Sequence, residues 1–149
     1  VTEKALLPVL NLEDFPNAVV DVFIELSQTD AGTRCAGICA AAIALADAGL
    51  SMKDLVASVS VGKVDNMVAV DLNYAEESYE HGDVADVPVA FIPRTGQISL
   101  LQMDGLIDKD SLKQALEMGR KACLQINEIQ KKALKERFMP SVEVNGNAD

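Results

Sequence analysis

The sequence predicts a single α+β domain, with helices packed on a mixed or antiparallel sheet, and three observations carry that prediction. Residues 35–48 and 109–137 place apolar side chains at helical spacing, whereas 55–72 and 87–103 each read as two strands around a turn. The order helix, strand, helix, two hairpins, helix groups strands together instead of alternating them with helices. At 149 residues and 49% hydrophobic composition, the chain is long enough for one core, and two domains would stretch it.

Each element has a local reason. Residues 2–7 are helical in pattern, and Pro8 with LEDFPN ends the pattern. AVVDVFIEL, 18–26, alternates Val20, Val22, Ile24 and Leu26 against Asp21, Phe23 and Glu25, which predicts a strand with one buried face. The next helix carries Cys35, Ile38, Cys39, Ala42, Leu45 and Ala46 on one side, with Gly49 as its stop. The hairpins turn near Asp65-Asn66 and at Pro93-Arg94-Thr95-Gly96. Between them NYAEESYEHGDVAD, 73–86, is a polar loop longer than most connections. Asp108 caps a long helix with Leu112, Leu116, Cys123, Ile126 and Ile129 along one face, and the basic KKALKER suits its C-terminal end. Residues 139–149 lack periodicity and read as a frayed tail. The start, VTEKALLPVL, reads as the end of a helix with no cap before it, the pattern of a fragment.

A net charge of -10 and pI near 4.5 exclude non-specific attraction to nucleic acid or to an anionic membrane through this chain alone. No apolar run reaches the roughly 18 residues of a membrane span, and the start lacks a signal-peptide pattern, so the expectation is a soluble, cytoplasmic protein. Cys35, Cys39 and Cys123 lie in apolar helical patterns without zinc-ligand spacing and read as core thiols.

Two stretches hold residues capable of chemistry. At Asp30-Ala31-Gly32-Thr33-Arg34 a flexible glycine, a hydroxyl and a guanidinium meet a helix N-terminus, a combination that binds anions. A cation there opposes the helix field, so two explanations stand: an anion satisfies both, or Thr33 or Asp30 caps the helix while Arg34 pairs with a carboxylate. The loop holding Glu76, Glu77, Glu80, His81, Asp83 and Asp86 is either a solvated acidic segment or a source of a metal ligand or general acid.

The run DVFIELSQTDAGTRCAGICAAAIALADAGLSMKDLVASVSVGK, with DLNYAEESY, ADVPVAFIP and QISLLQMDG after it, resembles the ribonuclease PH family. Among the branches of that family it is most similar to the catalytic branch of the archaeal exosome. The similarity covers residues 3–138, and it implies that 1–138 form the C-terminal part of a ribonuclease PH-like domain with a ribosomal protein S5 domain 2-like sandwich fold. It also implies phosphate-dependent removal of nucleotides from RNA 3′ ends, as nucleoside diphosphates. Gly32, Thr33 and Arg34 would hold inorganic phosphate, the co-substrate. Glu77 and Asp86 would be the catalytic carboxylates and the ligands of Mg²⁺, with Asp83 replacing Asp86 if the loop aligns without a gap.

Two departures from the family pattern are Glu77, where the family has aspartate, and a longer loop before Asp86. The front half of the family's domain, which brings basic residues for RNA, has no counterpart here. Implied partners are the RNA 3′ end, a related inactive ribonuclease PH-like subunit alternating in a hexameric ring, and RNA-binding cap subunits. The alternative expectation is a non-catalytic ring subunit that serves as scaffold and RNA-channel wall.

Overall fold

The computed structural model describes residues 1–139. The residues read as a frayed tail therefore lie, beyond Met139, outside those described. Along the chain come α1 (Thr2–Leu6), two 3₁₀ turns (Leu7–Val9 and Leu12–Asp14), α2 (Thr33–Asp47), β1 (Ala57–Val64) and β2 (Met67–Val70). They are followed by α3 (Tyr74–Glu77), β3 (Val84–Ile92), β4 (Gln97–Leu101), β5 (Asp104–Gly105) and α4 (Lys109–Phe138). The sheet order is β2-β1-β3-β4, with β5 also on β3, and every pairing is antiparallel. Among the described residues no helix is long and apolar enough to cross a membrane.

Period-two alternation divides the core between the two faces of the sheet. Ala57, Val59 and Val61 of β1 and Ala85, Val87, Val89 and Phe91 of β3 pack with Ala115 and Cys123 of α4. Ala90 and Ile92, from the opposite set on β3, join Ile38, Ala41, Ala42 and Leu45 of α2 and Ala5 and Leu6 of α1. The result is a three-layer sandwich, with α4 on one face and α1 with α2 on the other. Small residues set the approach distances: a Cβ on Gly119 would lie 3.0 Å from Cγ1 of both Val61 and Val89.

The buried stripe of α4 runs through Ala115, Gly119, Cys123, Asn127 and Gln130, whereas Ile129 is 70% exposed. At about 100° per residue, Gln130 returns to the azimuth of Cys123 and Ile129 points well away from it. The expected face was thus right in its first turns and wrong at Ile129. Gln130 compensates for its polarity by donating from Nε2 to the carbonyls of Cys39 (3.2 Å) and Val56 (3.1 Å), tying α4 to α2 and to the approach to β1. Gln130→Ala would leave those carbonyls without this partner in a dry seam, and we expect it to lower unfolding free energy by about 1–3 kcal/mol in urea titrations. An unchanged midpoint would show that the seam admits water.

The predicted strand at 18–26 does not form. No residue in this run pairs in the sheet, and Val19 and Phe23 are 85% and 87% exposed. The alternation still has a physical counterpart, because Val20, Val22, Ile24 and Leu26 are only about half as exposed and Ile24 packs beside Gly37 of α2. One face therefore rests on the helix while the backbone has no ladder partner among the described residues. The three cysteines are free: Cys35 and Cys123 are buried, as expected of core thiols, and burial pushes them up to about 11 and about 12, whereas Cys39 is half-buried with its thiol donating to the Ser58 carbonyl.

Candidate active site

The head of α2 is built by two consecutive left-handed residues, Ala31 (φ 62°) and Gly32 (φ 59°), which turn the chain sharply into the helix. Glycine adopts this conformation without the steric cost that alanine bears. Gly32 is the N-cap, and among the described residues no side chain caps the first turn. Neither Thr33 nor Asp30 caps α2, which removes one of the two explanations for the local sequence. Asp30 instead accepts a 3.0 Å hydrogen bond from the backbone N–H of Tyr74, fastening the loop before α2 to the start of α3.

Arg34 projects from this uncapped turn, and its Nη1 donates to Oε1 of Gln102 at 2.9 Å. Among the described residues it forms no ion pair within 4.0 Å, so the carboxylate partner offered as a bland reason for its presence is missing. Arg34, Glu77, Asp86, Gln102, Asp104 and Gly105 line one cleft of about 440 Å³. Gly32 and Thr33 stand at the head of the same helix, just outside the lining.

The loop between the hairpins is more ordered than its composition suggests, because it contains α3. Asn73 and Glu76 form a reciprocal capping box: Asn73 Oδ1 accepts from the Glu76 N–H (3.0 Å), and Glu76 Oε2 accepts from the Asn73 N–H (2.9 Å). Glu76 is thereby consumed by the helix end, and its neighbour Glu77 lines the cleft. Partial burial raises the pKa of Glu77 above the usual carboxylate value, and the nearby negative charge of Asp86 raises it further, against the opposing Arg34.

Asp86 sits on β3 opposite Gly62 of β1 and Asp104 of β5. Its Oδ1 accepts a hydrogen bond from the hydroxyl of Ser60, a residue only 1% exposed. Asp83 is exposed in the loop before β3, its carbonyl accepting from the Asp65 N–H at 2.7 Å, and it does not line the cleft. Glu80 and His81 are also exposed, the His81 ring standing edge-on to Tyr79 with centroids 5.6 Å apart.

Sequence reasoning missed Ser60, Gln102 and Asp104. Ser60 looked like one more small strand residue, and QMDG looked like a hairpin end. Neither carries a periodic signal, because what matters is the register that brings β1 and the β4–β5 connection beside β3.

Two family models match most of the chain: 3′ exoribonuclease family, domain 1, over residues 1–51, and domain 2 over residues 54–122. The chain belongs to the 3′ exoribonuclease family. It is 48% identical over 148 residues to the exosome complex component Rrp41 of Thermococcus kodakarensis, covering 99% of this chain and 58% of that protein. The Rrp41 component of Methanopyrus kandleri is 46% identical over 138 residues, covering 93% of this chain and 56% of the relative. The chain therefore spans less than two thirds of the length of these relatives. The crystal structure of rice Rrp46 superposes with a TM-score of 0.77 at 21% identity, over 89% of this chain and 61% of that one, a likeness of fold. The α+β, ribonuclease PH-type fold expected from the sequence is the fold of this family member.

Proposed function

We propose that this chain carries the phosphate-binding turn and the carboxylates of a phosphorolytic 3′-to-5′ exoribonuclease site within an exosome complex. The observation that supports it most is the cleft in which Arg34, beside an uncapped helix N-terminus, faces Glu77 and Asp86. Phosphate bound to the first-turn N–H groups and to Arg34 satisfies the helix field and the guanidinium together. One of its oxygens attacks the phosphorus of the terminal phosphodiester. The bond from that phosphorus to the 3′ oxygen of the preceding nucleotide breaks, and a nucleoside diphosphate leaves.

The departing oxygen needs a proton, and Glu77 suits that task because its surroundings favour the protonated form. Asp86, fixed by the Ser60 hydroxyl, provides a positioned carboxylate on the sheet. The cleft sets three carboxylates, Glu77, Asp86 and Asp104, against one guanidinium. An incoming RNA phosphate would meet repulsion that a divalent cation relieves. Among the described residues no three acidic, histidine or cysteine side chains form a complete metal site. That donor set still fits Mg²⁺, which typically uses one or two carboxylates together with water and substrate phosphate. Asp86 is the residue that would hold it, with Glu77 a further ligand only once it has given up its proton, and it would neutralise charge at the reacting phosphate.

With a net charge of -10, the chain has little with which to neutralise an RNA backbone. RNA tracking therefore falls to partners: a related inactive ribonuclease PH-like subunit alternating with this one in a hexameric ring, and RNA-binding cap subunits. The direct test is phosphate-dependent release of nucleoside diphosphate from a short oligoadenylate by the assembled complex. RNA binding without product would support the scaffold reading, which the longer glutamate at position 77 favours.

Arg34→Ala separates a phosphate ligand from a structural residue. We expect the KM for phosphate to rise at least about tenfold, as for a lost charge-assisted contact, with the melting temperature nearly unchanged. A large loss of thermal stability with unaltered phosphate dependence would assign Arg34 to the fold instead.

A further inference from the structure

Arg34 occupies a position where its own helix offers no electrostatic support. The first turn of α2 contains no acidic residue, and Gly37 and Ile38, one turn along, have no polar side-chain group. Asp30, four residues earlier and outside the helix, is engaged by the Tyr74 N–H. The guanidinium is held from another element, by Oε1 of Gln102 at 2.9 Å. Gln102 follows β4, and its own backbone N–H donates to the carbonyl of Pro88 at 3.0 Å. Pro88 lies two residues from Asp86 on β3, so this contact links the anion-binding side of the cleft to the strand carrying the carboxylate.

We propose that Gln102 is a positioning residue for the phosphate subsite, holding the Arg34 guanidinium toward the cleft while leaving its charge unneutralised. This rests on the reading of Arg34 as the ligand of inorganic phosphate. The chemistry of the acceptor is the reason for glutamine. An amide oxygen takes one of the five guanidinium N–H donors and carries no net charge, so the remaining donors and the full positive charge stay available to an anion. A carboxylate at the same place would form an ion pair that phosphate must break. An apolar residue would let the long side chain sample rotamers away from the cleft, and phosphate binding would then bear the ordering cost.

Two variants test this in the assembled complex with inorganic phosphate as the varied substrate. Gln102→Leu should raise the KM for phosphate about three- to tenfold, with a much smaller effect on kcat, through loss of one hydrogen bond to a charged group. Gln102→Glu should raise it further, although it restores an acceptor of the same reach, because the new charge competes with phosphate. A residue needed only for folding would depress kcat and thermal stability together and would be better replaced by Glu than by Leu. Phosphate KM values like the wild type's in both variants, or a Glu variant that binds phosphate better than the Leu variant, would overturn the proposal.

A second measurement is independent of turnover. NMR of the Arg34 Nη–H groups should detect hindered guanidinium rotation in the wild-type chain and faster rotation in Gln102→Leu. Equal rotation rates would overturn the proposal even in an active complex. A wild-type complex that fails to phosphorolyse RNA would defeat the proposed activity, while the rotation rates and a phosphate titration followed at Arg34 still decide the role of Gln102.

Discussion

Asp86→Asn should reduce phosphate-dependent release of nucleoside diphosphate by roughly 10²–10⁴-fold while RNA binding and the melting temperature stay close to wild type. The substitution keeps the size of the side chain and an oxygen that can accept from the Ser60 hydroxyl, so the β1–β3 contact survives. It removes the negative charge that, with Glu77, faces Arg34 across the cleft. Loss of turnover with an intact fold is therefore specific to the chemistry. The measurement is a single-turnover assay on a labelled oligoadenylate with saturating phosphate, paired with RNA affinity at the same salt concentration. Turnover equal to the wild type's would take Asp86 out of the chemistry and redirect the assignment to Asp104, the other carboxylate that β-pairing brings to the cleft.

Gly62→Ala acts on the same strand pair by a different route. A Cβ at Gly62 would lie 2.1 Å from the carbonyl oxygen of Ala85 and 2.6 Å from Leu72 Cδ1. The nearer obstacle is backbone, so rotamer adjustment cannot relieve it, and β1 must separate from β3 beside the pair Gly62–Asp86. Overpacking of a dry strand pair commonly costs 1–3 kcal/mol, and with a backbone obstacle we expect about 3 kcal/mol, or roughly 10 °C in the melting temperature. Because Asp86 lies at the point of separation, the folded fraction should also lose turnover. A variant as stable as the wild type would mean that the two strands part there at little cost.

Much of the fold was legible because its signals are local. Asp108 bonds through Oδ1 to the N–H groups of Asp110 and Ser111, the capping role read from its place before the long helix. The turns at Asp65-Asn66 and at residues 93–96 fall between strands as their composition indicated. The short helix at Tyr74–Glu77 was missed, although Asn73 and Glu76 have capping-box spacing, because the acidic run was read as a loop. At 18–26 the alternation was real but insufficient: a strand needs a ladder partner, and partners are a property of the assembled chain.

By itself the sequence determined the two long helices, the two hairpin turns, most of the core-forming periodicities and the placement of Gly32-Thr33-Arg34 at the head of a helix. Each depends on backbone preferences and on side chains within a few residues of one another. The family resemblance already singled out Glu77 and Asp86; only the tertiary structure decided that both line one cleft with Arg34, and that Arg34 reaches Gln102, 68 positions away. The physical reason is register. One capping box consumes Glu76, and one set of antiparallel pairings carries Asp86 to Ser60 and anchors Gln102 at Pro88. Those distances depend on how separate strands align, which no local pattern encodes.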